Sequence, residues 1–301
     1  MSEPTEARKI RDLEISELSS WSDYLDYARR VGEESGIRQT EARRLIQGRP
    51  AFIEEFCYVC NGRKQFRVSD GNEELTEGSD PNWRERLECS GCHLNNRKRA
   101  SFHLFDIFGM PERKSAIYLT EQRGHFYSLL RKRHPNTTGS EYRGTRYGGG
   151  EERFARLCGF RWGRIRNETL TALTFEDDRF DFVVCFEVFE HIPDHRRALR
   201  ESCRCLKKDG KLFFTVPFNP NAQLNMTRAC MDADGNVHHI LTPEYHRDPQ
   251  QRGGILAFHN FGWELLDELR AVGFRKATGF FFWSREFAYL GQNNNVFMAE
   301  K

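Results

Sequence analysis

The sequence predicts an α/β fold, a parallel, doubly wound sheet preceded by a helical arm and a small metal-binding module. Three observations lead there. From about residue 110, short apolar runs alternate with amphipathic stretches of helical period, the pattern of strands joined by crossover helices. One run, Phe180–Phe186 (FDFVVCF), is continuously apolar and bounded by charge, as a strand covered on both faces should be. Ahead of this region stand two Cys-x-x-Cys pairs, Cys57/Cys60 and Cys89/Cys92, separated by 28 residues.

The first 50 residues are charged and helical in pattern. Trp21, Tyr24, Leu25, Ala28 and Val31 recur at spacings of three and four and make one apolar stripe. Such an arm packs on its own chain or on a second copy, so a homodimer is one expected arrangement. Residues 51–100 carry the cysteines. Each pair can present two thiolates from a tight turn, and two turns close a tetrahedral S₄ site. Zinc suits it, because thiolates are soft ligands and no redox partner is required. A closed site has no open position, so the expected role is folding, not catalysis. Gly62, Gly71, Gly78 and Pro81 break the spacer into short strands and turns. Two disulfides or free thiols are the competing readings of the same four residues.

The remaining elements follow in order. Ser115–Thr120 reads as a strand, and Phe126, Leu129 and Leu130 as one face of a helix. Thr137–Glu141 reads as a second strand, and a third is expected to end near Asn167. After Phe180–Phe186 a helix is expected over Asp194–Leu206, turned by Asp209-Gly210 into strand Lys211–Val216. A last helix, Trp263–Val272, should stop at Gly273. Phe-rich strands over 274–283 and 294–299 close the chain.

Composition narrows the function. The 46 Lys and Arg nearly balance the 44 Asp and Glu, a net charge of +2. The cysteine module holds eight basic and nine acidic residues, with one basic spot at Leu94–Arg99. Both argue against a nucleic-acid partner. No apolar run approaches the roughly 18–20 residues of a membrane span, and the opening MSEPTEARKI is too polar for a signal peptide. The cysteine count is nine, an odd number, and Cys158, Cys185, Cys203, Cys205 and Cys230 show no framework spacing, so a reducing cytoplasm is the expected location.

Ligands of such sheets sit beyond the carboxyl ends of the strands. The expected tips are Thr120-Glu121-Gln122-Arg123-Gly124, Gly139-Ser140-Glu141-Tyr142, Asn167-Glu168-Thr169-Leu170 and Phe186-Glu187-Val188-Phe189-Glu190-His191. Each carries a carboxylate, and none is a glycine-rich phosphate loop. Carboxylates suit ribose hydroxyls and an amine, which points to a nucleoside-like ligand without phosphates, S-adenosylmethionine above all. Any one of these acids, alone, reads first as a helix N-cap or a solvated loop charge; their joint placement is what points to the ligand.

Residues 173–194 (LTFEDDRFDFVVCFEVFEHIPD) and 206–218 (LKKDGKLFFTVPF) resemble class I S-adenosylmethionine-dependent methyltransferases of the type 11 group, with a Rossmann-like sheet. The resemblance covers about residues 115–300. With the Cys₄ module, Tyr-Leu-Thr-Glu-Gln and Gly-Ser-Glu-Tyr, the whole is similar to methyltransferases found with surface-polysaccharide genes. It implies that Glu121 and Gly124 belong to the cofactor loop, that Glu141 with Tyr142 meets the ribose, and that Phe186 and Glu187 flank the cofactor. Glu168, Thr169 and Leu170 fall where the family holds adenine. The family's Gly-x-Gly is reduced to Gly124, between Arg123 and His125.

The acceptor side is expected in the long connection 217–260, rich in histidine. Long connections in compact domains usually form lids or substrate loops. His191, His239 and His246 are the candidate bases for a hydroxyl acceptor. The reading is a methyltransferase acting on oxygen of a sugar or glycan precursor. It competes with an RNA base methyltransferase bearing a zinc ribbon and with a non-catalytic binding protein.

Overall fold

A computed structural model describes residues 12–45, 52–68, 81–144, 147–158, 161–248, 251–292 and 294–301. Gly71, Gly78, Pro249 and the first eleven residues lie outside them. The chain forms two compact units: residues 12–18, 22–111 and 279–296 within the first, residues 19–21, 112–278 and 297–301 within the second.

In the first unit the expected helical arm begins as a strand. β1 (Glu14–Leu18) precedes the helix α1 (Trp21–Arg44) and pairs antiparallel with the C-terminal half of β17 (Lys276–Trp283), Ile15 opposite Phe282. The helical stripe masked this strand, because its partner lies some 260 residues away. Tyr24 and Tyr27 pack on Phe281 with ring centroids 6.0 and 5.7 Å apart. β2 (Phe52–Cys57), β3 (Gly62–Val68) and β4 (Leu87–Cys89) make a three-stranded antiparallel sheet. Between β3 and β4 lies a single helical turn, α2 (Trp83–Arg86). α3 (Asn96–Leu104) starts where Asn95 accepts from the Lys98 amide, and it runs into a π-helical turn at Phe105–Gly109.

Two cations of the basic spot turn inward within this unit. Arg97 Nε donates to Glu85 at 2.6 Å. Arg99 is fully buried and donates to the carbonyls of Phe287 and Ala288, its guanidinium 4.2 Å from the Phe66 ring centroid.

The second unit holds the parallel strands. β5 (Ile117–Leu119), β6 (Thr137–Gly139), β9 (Phe180–Phe186) and β10 (Leu206–Thr215) are parallel neighbours, and β18 (Asn295–Glu300) joins β10 antiparallel. Strand order within this unit is β18-β10-β9-β5-β6. The sheet is therefore mixed α/β and mostly parallel at its centre. Helices α4 (His125–Arg133), α5 (His195–Cys205) and α6 (Glu264–Ala271) match the expected helical stretches. Asp194 caps α5 by accepting from the Arg197 amide, and Gly273, at φ 117°, ends the turn after α6. Val183, Val184, Phe213 and Phe214 are all 1% exposed or less, the double burial that makes their strands read as apolar runs.

The third expected strand departs from the pattern. β7 (Glu152–Cys158) and β8 (Arg161–Arg166) form an antiparallel hairpin, which meets the sheet through one parallel bridge, Glu141 to Asn167. The connection after β10 is not an irregular loop. It folds as three antiparallel pairs: β11 (Met226–Thr227) with β16 (His259–Asn260), β12 (Ala229–Met231) with β13 (Val237–His239), and β14 (Tyr245–Asp248) with β15 (Gln251–Leu256). No helix among the described residues is long and apolar enough to cross a membrane.

Candidate active site and metal centre

The four cysteines of the first unit meet. Cys57 and Cys92 sulfurs lie 3.9 Å apart, Cys60 and Cys89 3.8 Å, and all four within 4.8 Å. A tetrahedral ion with bonds of about 2.3 Å would set its sulfurs about 3.8 Å apart. The two turns are built alike. The residue after each pair, Asn61 and His93, takes a left-handed backbone at φ 51° and 57°. The Gly91 amide points at Cys89 sulfur, 3.4 Å away, and a Cβ at Gly91 would lie 2.9 Å from Cys60 sulfur. The sulfur spacing and the two matching turns fit a soft cation held by four thiolates.

In the second unit the tips of β5, β6 and β9 align, with Leu119 in register with Gly139 and Val184. Glu141 sits just past β6, buried, and one carboxylate oxygen accepts the amides of Gln122 at 2.9 Å and Arg123 at 2.7 Å. It thus fastens the loop after β5. Gln122, which sequence reasoning passed over, completes the fastening. Its side-chain amide donates to the Arg164 carbonyl and accepts from the Arg166 amide, as a strand edge would. Loop shape here comes from side-chain hydrogen bonds instead of a run of glycines. The glycine that close packing demands lies in β6: a Cβ on Gly139 would meet Tyr127 at 2.6 Å and the Glu121 carbonyl at 2.9 Å. Gly124, at φ 103°, supplies the left-handed entry into α4.

Glu121, Glu187 and Glu190 converge around Cys185. Burial pushes that thiol up, a hydrogen bond with Thr120 opposes the shift, and the three carboxylates add to it. Glu187 holds a left-handed backbone, φ 54°, at the tip of β9, a costly conformation for a residue with a Cβ. Phe186 is buried edge-on against Phe126, 4.8 Å between centroids. Tyr142 is 64% exposed. Glu168 is turned to local duty. Its carboxylate accepts from Arg166 at 2.6 Å and from both the hydroxyl and the amide of Thr174. Thr169 shares a hydrogen bond with Thr171, and Leu170 is buried.

The histidines separate. His239 lies on β13, exposed, in a hairpin whose other histidine, His238, bonds to Asp232 at 2.8 Å. His191 and His246 come together, ring centroids 5.0 Å apart, on either side of Glu190. Burial pushes the Glu190 carboxyl up to about 7. Glu190 and Glu244 hold the His246 imidazolium, against the opposing effect of burial, and push it up to about 9. Glu190 was not singled out from sequence, although it stands beside His191. Only the approach of β14 shows what it faces. A further histidine, His259, is buried against His195, and that burial pulls its pKa down.

A family profile described as "Methyltransferase domain" matches residues 121–274, just over half of the chain. The chain belongs to this family, the S-adenosylmethionine-dependent methyltransferases. Among curated relatives it is similar to a ubiquinone biosynthesis O-methyltransferase of Coxiella burnetii, 38% identical over 49 residues, 16% of this chain and 21% of that one. It is also similar to an uncharacterized methyltransferase of Bacillus subtilis, 36% identical over 67 residues, 22% of this chain and 26% of that one. The chain thus spans about a fifth to a quarter of the length of these relatives. Among solved structures, an S-adenosylmethionine-dependent methyltransferase from Mesorhizobium loti matches 70% of this chain and 100% of its own, at 14% identity and a TM-score of 0.41.

Proposed function

We propose that the second unit transfers a methyl group from S-adenosylmethionine to a hydroxyl oxygen of a sugar or glycan precursor. The observation that carries this reading is the gathering of Glu121, Glu141 and Glu187 at the ends of three parallel strands, with the Glu190–His191–His246 cluster next to them. S-adenosylmethionine brings a sulfonium and an ammonium, and an acidic rim attracts both. One oxygen of Glu141 secures the loop, and a carboxylate at this strand end suits the ribose diol. Gly124 and the start of α4 border the methionine end. An oxygen acceptor is supported by the name of the Coxiella relative, an O-methyltransferase.

Transfer needs the acceptor oxygen in line with the methyl carbon and the sulfur. The hydroxyl proton passes to the Glu190 cluster, the oxygen attacks the methyl carbon, and the C–S electron pair stays on sulfur in S-adenosylhomocysteine. Activation of the hydroxyl falls to the Glu190 cluster, since His239 stands apart on an exposed hairpin. In the first unit the four cysteines hold a structural zinc with no open position for substrate.

The test is transfer of labelled methyl to a panel of sugar nucleotides and free glycans, with amine acceptors as controls. His246→Ala should lower turnover by about two decades or more, the scale of lost proton management, while S-adenosylhomocysteine affinity holds. His239→Ala should leave turnover near wild type. Labelling of amines alone would refute the oxygen assignment.

A further inference from the structure

Glu190 is an odd core residue. Its side chain is wholly shielded, and neither carboxylate oxygen has a hydrogen-bond partner, a costly state for a charge out of water. Two ring nitrogens face it: His191 Nε2 at 3.5 Å and His246 Nδ1 at 3.7 Å. The opposite nitrogen of each ring is already engaged. His191 Nδ1 meets the Leu256 carbonyl at 2.8 Å, and His246 Nε2 meets the Glu244 carboxylate at 2.9 Å. A carbonyl and a carboxylate only accept, so those nitrogens carry the protons. Toward Glu190 each ring turns its remaining nitrogen, so the geometry calls for a positive charge at that point, either a proton on His246 Nδ1 or a metal ion.

We propose that Glu190, His191 and His246 form a second metal centre, one that holds a divalent transition-metal ion such as Mn²⁺, Fe²⁺ or Zn²⁺. Two imidazoles and a carboxylate suit these ions and leave positions open. Bonds of about 2.1 Å at a tetrahedral angle would put ligand atoms about 3.4 Å apart, a few tenths of an ångström from the distances here. The Leu256 carbonyl and Glu244 fix the tautomers from behind, the usual support of a metal-binding histidine. The catalytic consequence rests on the methyl-transfer reading. An acceptor hydroxyl on an open position loses its proton to water more readily, and its oxygen then attacks the methyl carbon.

The experiment is Mn²⁺ titration of the full chain followed by electron paramagnetic resonance, with neither cofactor nor acceptor present. Mn²⁺ prefers oxygen and nitrogen ligands and leaves the thiolate site to zinc. The expected result is one Mn²⁺ per chain, weakened by at least about 100-fold in Glu190→Gln and His246→Ala and by about 10- to 100-fold in the milder Glu244→Gln. S-adenosylhomocysteine affinity and circular dichroism should stay at wild-type values in all three. Absence of Mn²⁺ binding at millimolar concentration, together with one zinc and not two per chain in zinc-saturated protein, would overturn the proposal. A proton on His246 then takes the cation's place. Mn²⁺ binding without methylation of any hydroxyl acceptor would keep the metal centre and remove the methyl-transfer reading. Methylation unaffected in cation-free protein would keep the methyl-transfer reading and remove the cation's part in it.

Discussion

Replacing Glu141 by alanine should have two separable effects. The carboxylate oxygen that accepts from the Gln122 and Arg123 amides is buried, so its loss strands two backbone donors at the start of the cofactor loop. Hydrogen bonds to a charged acceptor are worth about 1.5–3 kcal/mol each, and the lower figure suits a site at the protein's edge. The pair then amounts to about 3 kcal/mol. In a unit of this size that lowers Tm by roughly 6–12 °C. Loss of the ribose contact should weaken S-adenosylhomocysteine by a further about 1.5–3 kcal/mol, on the order of 10- to 100-fold. Differential scanning fluorimetry reads the first effect and titration calorimetry the second. Glu141→Gln keeps an acceptor oxygen for the loop, so it should recover much of the Tm while remaining weak in binding. A mutant with lower Tm and unchanged affinity would refute the ribose assignment and leave Glu141 a loop cap. A mutant with unchanged Tm would refute the fastening of the loop.

Three more outcomes are expected. Elemental analysis of protein kept reduced should find zinc lost on Cys89→Ser, with the β2–β4 sheet disordered and S-adenosylhomocysteine binding retained; full zinc in that mutant would refute the four-thiolate centre. Arg99→Met should cost the first unit about 3 kcal/mol in denaturant unfolding, because two buried carbonyls lose their donor and two aromatic faces their cation. A change within experimental scatter would show the guanidinium to be dispensable. His103, stacked on Tyr58 at 3.7 Å, is held down to about 3 by burial. Its folded pKa lies below the unfolded 6.5, so its stability contribution is complete above pH 6.5 and drains as pH falls toward 3. By pH 5 the loss is about 2 kcal/mol. Equal acid sensitivity in His103→Phe would refute this.

The sequence alone determined what local pattern and spacing can carry. Phe180–Phe186 is a strand with the expected bounds because burial on both faces leaves no polar alternation. The helices at 125–133, 195–205 and 264–271 announced themselves through period and through Asp194 and Gly273 at their ends. The Cys-x-x-Cys pairs are each a local turn, so their ligand geometry was written into five residues apiece. Tertiary structure decided whatever depends on a distant partner. β1 exists because β17 accepts it, and its five residues have too little pattern to outweigh the helix beside them. The missing glycines of the loop after β5 are answered by Gln122, Gly139 and Glu141, residues that are polar or small for reasons visible only when β6 and β8 stand beside the loop. Glu190 and His246 lie 56 positions apart, and it takes the fold of the β14–β15 pair to aim an imidazole nitrogen at a carboxylate that water cannot reach. Charge, lone pair and burial become chemistry only when they share one place, and one-dimensional spacing does not encode that place.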